Sequence, residues 1–222
     1  MAPPALGFAH RGLHGADIPE NSRAAYRAAI ALGAGIECDV RLSRDDVPML
    51  FHDADLKRLC DERGSVETLS AASLAGKRLL GTRETVPRLA DLLLIAGGSV
   101  PLLIELKTIG NAERLAAAVC RTLGPRPGPV GVMSFDPRVA LWLARHRPDV
   151  RRGLIIAGDE SPIRRWGKTM VARPHFLALD KALLDELRSR LPRYGWTIRT
   201  PAERAAATPL ADALIWENDG RP

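Results

Sequence analysis

A chain of 222 residues, 46% of them apolar, can bury a sizeable core and fits one domain across 1–222, since α/β barrels of this length run unbroken. The formal charge of +6 comes from Lys and Arg scattered along the chain rather than bunched, which suits a small anionic substrate. There is no recognition helix, zinc spacing or aromatic-studded basic strand, so no nucleic acid is expected as a partner.

Short β-type runs alternate with Ala- and Leu-rich helical patterns, the mark of an α/β protein with a mainly parallel sheet. The first predicted strand, 6–9 (LGFA), runs into His10-Arg11-Gly12 and a Gly- and Pro-rich loop. A helix follows over 22–33, with Asn21 or Ser22 as its N-cap. Strands at 36–41 (IECDVR) and 48–52 (PMLFH) are joined only by LSRDDV. A parallel crossover needs about a dozen residues, so this pair is predicted as an antiparallel hairpin turning at Asp45-Asp46. Residues 53–86 are turn-rich, with one short helical pattern at 70–75, and read as a small insertion after the His52 strand.

Further strands are predicted at 101–106, 130–134, 153–157, 176–179, 195–199 and 213–216. They alternate with helical patterns at 87–97, 111–123, 137–146, 161–167, 181–191 and 201–207, and a Pro/Gly linker, GPRPGP, spans 124–129. With the hairpin strand set aside, eight strands remain, which predicts a closed (β/α)8 TIM barrel. Cys38, Cys60 and Cys120 show no metal or redox spacing. No leader pattern, amphipathic anchor or bilayer-length apolar run is evident, so a cytoplasmic protein without a stable membrane anchor is expected.

The chemistry concentrates at strand ends. In IECDV, alternation puts Glu37 and Asp39 on one face and Cys38 on the other, toward the helical layer. Two carboxylates on a buried face need a cation. LLIELK repeats the device with Glu105 and Lys107, at the downstream strand end where a parallel barrel gathers its catalytic groups. Three carboxylates with no Cys on their own face and no further His close in sequence favour a hard divalent ion, Mg²⁺ or Ca²⁺, over Zn²⁺. Set against Arg11 and Lys107 they leave one net negative charge, so only the metal-bound site should attract an anion. Arg11 and Lys107 suit phosphate oxygens, while His10 and His52 supply one base and one acid.

His10-Arg11-Gly12, Pro19-Glu20-Asn21-Ser22, Glu37-x-Asp39-Val40, His52-Asp53 and Glu105-x-Lys107 resemble, in order and spacing, the motif series of glycerophosphodiester phosphodiesterases. The resemblance runs over about residues 7 to 200. It implies a (β/α)8 barrel that uses one divalent cation, Mg²⁺ or Ca²⁺, to hydrolyse a small anionic phosphodiester to glycerol 3-phosphate and an alcohol. It also implies His10 and His52 as the acid–base pair, Glu37, Asp39 and Glu105 as metal ligands, and Arg11 and Lys107 as phosphate ligands. A lysophospholipase D-like activity on lysolipids is the alternative, and attack by water or by the glycerol 2-hydroxyl both remain open. The C-terminal end departs from the family pattern at Arg199 and at LIWENDGRP, where Glu217 falls near the place of a family Asp. Arg199 reads most simply as a solvated strand-end residue.

Overall fold

The computed structural model describes residues 4–110, 112–125 and 128–222. Asn111, at the start of one predicted helix, and two positions of the predicted 124–129 linker lie outside the described residues. The chain begins with β1 (Phe8–Ala9), α1 (Arg23–Leu32), β2 (Gly35–Leu42), β3 (Pro48–Leu50), α2 (Lys57–Cys60), α3 (Ala71–Ala75) and α4 (Leu89–Ala96). It continues through β4 (Leu102–Leu106), α5 (Ala112–Leu123), β5 (Val130–Ser134), α6 (Pro137–His146), β6 (Arg151–Ile156) and α7 (Pro162–Ala172). It ends with β7 (Phe176–Asp180), β8 (Arg193–Ile198), α8 (Pro201–Ala207) and β9 (Ala213–Trp216).

Eight parallel strands close a ring, with β1 paired to β2 on one side and to β9 on the other. The closure sets Phe8 beside both Gly35 and Ile215. β3 is the ninth strand and pairs only with β2, antiparallel, with Val40 opposite Leu50. The short connection therefore forms the expected hairpin, and the structure is a TIM barrel.

Inside the ring, Phe8, Leu103, Met133, Ile155, Phe176, Ala178, Tyr194 and Ile215 form an apolar floor. The Phe176 and Tyr194 rings stack at 4.7 Å. Phe176 fills the space where a side chain on residue 153 would stand, a Cβ there falling 2.3 Å from the ring, so Gly153 is the residue that fits. On several strands the residue two positions beyond the floor residue is polar: Phe8 precedes His10, and Leu103 precedes Glu105. Two-residue periodicity keeps each pair on one face, so the same strands supply the floor and the polar groups above it.

Outside the ring, Cys38, Val40, Ile104 and Val132 pack against α1, α4, α5 and α6 in the main core. α1 is started by Ser22, whose Oγ accepts from the Ala25 N–H at 3.1 Å, and it ends at Gly33 in the left-handed conformation. The segment between β3 and α4 has its own core of Met49, Phe51, Leu56, Leu59, Val66, Leu74, Leu79 and Val86. No described helix is long and apolar enough to cross a membrane.

Two helix expectations need correction. The pattern at 181–191 forms only a single 3-10 turn at Lys181–Leu183. Leu183 and Leu184 are drawn into the barrel's outer core, and Arg193 Nη1 donates to the carbonyls of Leu184 and Leu187 at 3.1 and 3.4 Å. Those carbonyls are thus engaged outside any helical ladder. The pattern at 161–167 instead grows into the three-turn α7, with Ser161 as N-cap and Pro162 in the first turn.

Truncating the floor should be costly. Phe8→Ala is expected to lose about 3–5 kcal/mol of stability in denaturant unfolding. Leu94→Ala, at a side chain 84% exposed, should stay within about 0.5 kcal/mol of the parent.

Candidate active site

All seven residues singled out in the sequence stand at the downstream end of the barrel, and six of them line one cleft of about 200 Å³: His10, Arg11, Glu37, His52, Glu105 and Lys107. Asp39, the seventh, lies fully buried beneath it. Met133, Ile155 and Ile215 of the floor, with Phe135, Trp196 and Arg199, complete the lining.

Glu37 and Asp39 project inward from β2, and Asp39 is the register partner of Glu105 on β4. One oxygen from each of the three carboxylates lies within 4.8 Å of the others. Glu37 Oε1 is buried with no hydrogen-bond partner. Lys107 Nζ stands 2.7 Å from Glu105 Oε1 and 3.2 Å from Asp39 Oδ1, and Arg11 Nε is 3.2 Å from Asp39 Oδ2. Burial, with Asp39 and Glu105 alongside, raises the Glu37 carboxyl well above its ordinary range. Burial likewise pushes Glu105 up to about 7 against the pull of Lys107. Asp39 goes the other way: despite its desolvation, Lys107 and Arg11 hold it well below the usual carboxylate range. Crowded hard oxygens, one with no partner, fit a divalent cation that would supply the charge the two side-chain cations do not.

Arg11 sits at the turn after β1 with φ +56°. Its N–H donates to Glu37 Oε2 at 3.0 Å, and its Nη1 donates to Glu20 Oε1 at 2.8 Å. Gly12 follows at φ +79°, where a Cβ would press within 2.8 Å of Ala25, so the turn can lie directly on α1. Asn21 does not cap that helix. It is buried at φ +52°, its Nδ2 donates to Asp39 Oδ2 at 2.9 Å, and its Oδ1 accepts from Tyr26 Oη and the Asp39 N–H. Asn21 thus fixes the lowest carboxylate of the cluster from outside the strand.

Each imidazole is backed by a carboxylate. His10 Nδ1 lies 2.5 Å from Glu217 Oε2, and His52 Nδ1 lies 2.6 Å from Asp53 Oδ1. An ionised carboxylate accepts the Nδ1–H, which leaves Nε2 of each ring for proton exchange. Burial lowers the His10 pKa, with the Glu217 bond opposing, and burial also lowers His52. Glu217 is held well below the ordinary carboxylate range, its own burial outweighed by His10, His14 and Arg199. Arg199 Nε donates to Glu217 Oε1 at 2.6 Å, so this cleft residue is half-exposed yet anchored rather than simply solvated. Arg58, in the segment between β3 and α4, donates to Asp53 at 2.6 Å and to both oxygens of Glu20 at 2.8 Å.

Sequence reasoning assigned no role to Glu20, Asp53, Arg58 or Glu217, and read Asn21 only as a helix cap, the place Ser22 takes. Asp53 adjoins its imidazole in sequence, and Glu20 and Asn21 lay within a quoted motif. The reach of Arg58 to Glu20, 38 residues away, and of Glu217 to His10, 207 residues away, leaves no mark in local pattern.

A closed parallel barrel with acidic, basic and imidazole groups gathered at its downstream mouth is the architecture of a TIM-barrel enzyme. The sequence profile of the Glycerophosphoryl diester phosphodiesterase family matches residues 10–207, and the chain belongs to that family. Among curated relatives, a probable glycerophosphodiester phosphodiesterase 2 of Mycobacterium tuberculosis is 37% identical over 89 residues, 40% of this chain and 33% of that protein. A glycerophosphodiester phosphodiesterase of Caldanaerobacter subterraneus is 33% identical over 129 residues, 51% of this chain and 52% of that one. The chain therefore spans about a third to a half of these relatives.

Solved structures match more completely. A phosphodiesterase of Oleispira antarctica, in complex with the product sn-glycerol-3-phosphate, superposes with TM-score 0.86 at 22% identity, covering 98% of this chain and 94% of that one. A glycerophosphodiester phosphodiesterase of Thermotoga maritima gives TM-score 0.78 at 23% identity, with 97% and 95% covered.

The raised Glu105 carboxyl carries a stability signature. Between its ordinary 4.5 and about 7, the folded protein holds a proton that the unfolded chain has released, so this group lowers stability as pH rises. Without divalent ions, the stability of Glu105→Gln relative to the parent should therefore increase from pH 5 to pH 8. Adding Mg²⁺ should stabilise the parent far more than the variant, as measured by thermal unfolding.

Proposed function

We propose that this protein hydrolyses glycerophosphodiesters to glycerol 3-phosphate and an alcohol, with one divalent cation, Mg²⁺ or Ca²⁺, held by Glu37, Asp39 and Glu105. The observation that carries the reading is the convergence, in one cleft, of two carboxylate-backed imidazoles with the carboxylate cluster and two cations. Membership of the family and the product bound to the Oleispira antarctica protein support the substrate class.

A divalent cation held by Glu37, Asp39 and Glu105 would supply Lewis-acid charge to the phosphoryl group and would offset the crowded carboxylates. Arg11 and Lys107 hold the remaining phosphate oxygens, each kept in place by carboxylates rather than free to swing. One imidazole takes the proton of the attacking oxygen through Nε2, and the other protonates the departing alkoxide. Asp53 and Glu217 fix the ring orientations. A cleft of about 200 Å³ is smaller than pockets that enclose drug-sized ligands. It takes the phosphate and its three-carbon unit and lets the alcohol extend past Phe135, Trp196 and Arg199. The free cysteines agree with a reducing compartment, and we place the protein in the cytoplasm.

Glycerol 3-phosphate release from a panel of glycerophosphodiesters, with Mg²⁺, with Ca²⁺ and with EDTA, tests this directly. Turnover is expected with metal and not with EDTA, and His10→Ala or His52→Ala should each cost about 10²–10⁴-fold. Metal-independent turnover would sink the metal assignment, and faster turnover of lysophosphatidylcholine than of glycerophosphocholine would move the substrate to lysolipids.

The acid limb of kcat/KM reports loss of the neutral imidazole base. With both imidazoles lowered, its midpoint should fall below 6.5, and stopped assays across pH would locate it. Glu217→Gln removes a bond that raises the His10 pKa, so a limb set by His10 should move further to acid while the rate falls roughly tenfold.

A further inference from the structure

Helix α7 is inverted relative to its barrel. A helix packed on a sheet ordinarily buries its apolar stripe, yet the inward positions here are Arg165, Lys168, Thr169 and Ala172. Arg165 reaches Glu186 at 2.8 Å, and Lys168 reaches Glu160 at 2.7 Å and the Ile155 carbonyl at 3.2 Å. The apolar stripe points out: Ile163, Trp166 and Met170 are 83%, 68% and 59% exposed, and Val171 adjoins them. Gly167 sits among them with open space where a side chain would stand. The other exposed large apolar side chains are spread over α1 (Leu32), α4 (Leu94) and loops (Leu80, Ile109, Phe135), so among the described residues α7 carries the largest number on one element.

Charge indicates the partner. α7 carries Arg164, Arg165 and Lys168 and no carboxylate, and Arg164 is largely exposed. Arg173 caps the helix and Arg188 lines the groove beside Trp166. Among the described residues, neither forms an ion pair. A two-fold contact with a second copy through α7 would set these guanidinium groups against one another, because the neighbouring carboxylates Glu160 and Glu186 are already engaged by Arg164, Arg165 and Lys168 of the same copy. Lipid phosphates offer the opposite charge and an apolar layer beneath it. Eleven residues make a helix of about 16 Å, too short to span a bilayer but suited to lie on one.

We propose that the outer face of α7 docks reversibly on an anionic bilayer surface. Ile163, Trp166, Met170 and Val171 enter the interfacial layer, and Arg164, Arg173 and Arg188 face the headgroups. Phe135 lines both the candidate active-site cleft and the surface hollow beside Ser161 and Arg164, where α7 begins, so docking brings the mouth of the barrel close to the membrane. The inference stands apart from the catalytic reading.

The test is sedimentation of the intact protein with phosphatidylcholine vesicles, with and without about 30% phosphatidylserine, together with tryptophan fluorescence. Binding to the anionic vesicles, weakened by salt, with a blue shift absent from Trp166→Ala, is expected. A triple variant Ile163→Ser, Trp166→Ser, Met170→Ser should bind at least about tenfold more weakly while keeping the parent's circular dichroism and its turnover of soluble substrate. No binding to anionic vesicles, or equal binding by parent and triple variant, overturns the proposal. A parent dimer that the triple variant dissociates, without vesicle binding, assigns the face to self-association instead.

Discussion

Three carboxylates buried side by side, two of them facing each other across adjacent strands, impose the constraint around which the mouth of this barrel is arranged. Their mutual repulsion in a desolvated site costs too much to leave unanswered. Lys107 and Arg11 answer part of it, and Asp39 receives most of their benefit. Glu37 and Glu105 are left raised. The site is thus asymmetric, with one carboxylate satisfied by the protein and two poised for a further positive charge.

Around that cluster the holding groups form successive supports. Asn21 takes a left-handed backbone conformation rather than a capping role, and this lets its side chain reach Asp39. Glu20 braces Arg11, and Arg58 braces Glu20 and Asp53 together. The segment after the hairpin looks like an insertion in sequence. Through Arg58, however, it ties the Arg11 guanidinium to the support of His52. Its separate apolar core keeps that strap in place.

Much of this was legible in the sequence because β-strands alternate strictly. Glu37 and Asp39 had to share a face, as did Glu105 and Lys107, and a six-residue link could only make a hairpin. Strand positions followed from short apolar runs between turn residues. The helical readings were weaker where periodicity was the sole guide. At 181–191 the Leu spacing suits a helix, yet Arg193, which follows the segment, takes its carbonyls. In α7 the apolar stripe was present in the letters, but periodicity does not say which way a stripe points. Pairings such as His10 with Glu217 depend on the closing of the sheet and leave no trace in local pattern.

That closing has a consequence of its own. β1 is flanked by β2 and by β9, the His10 N–H donates to the Trp216 carbonyl at 2.8 Å, and the carboxylate that orients the ring comes from the residue after β9. The His10 imidazole is therefore completed by a residue 207 positions downstream. Until β9 is inserted, the ring is an open sheet, and His10 lacks both the strand beside it and the group that fixes its tautomer. The orientation of the His10 ring therefore depends on closure of the barrel, because β1 and the residue after β9 must stand side by side before the imidazole and its carboxylate can meet.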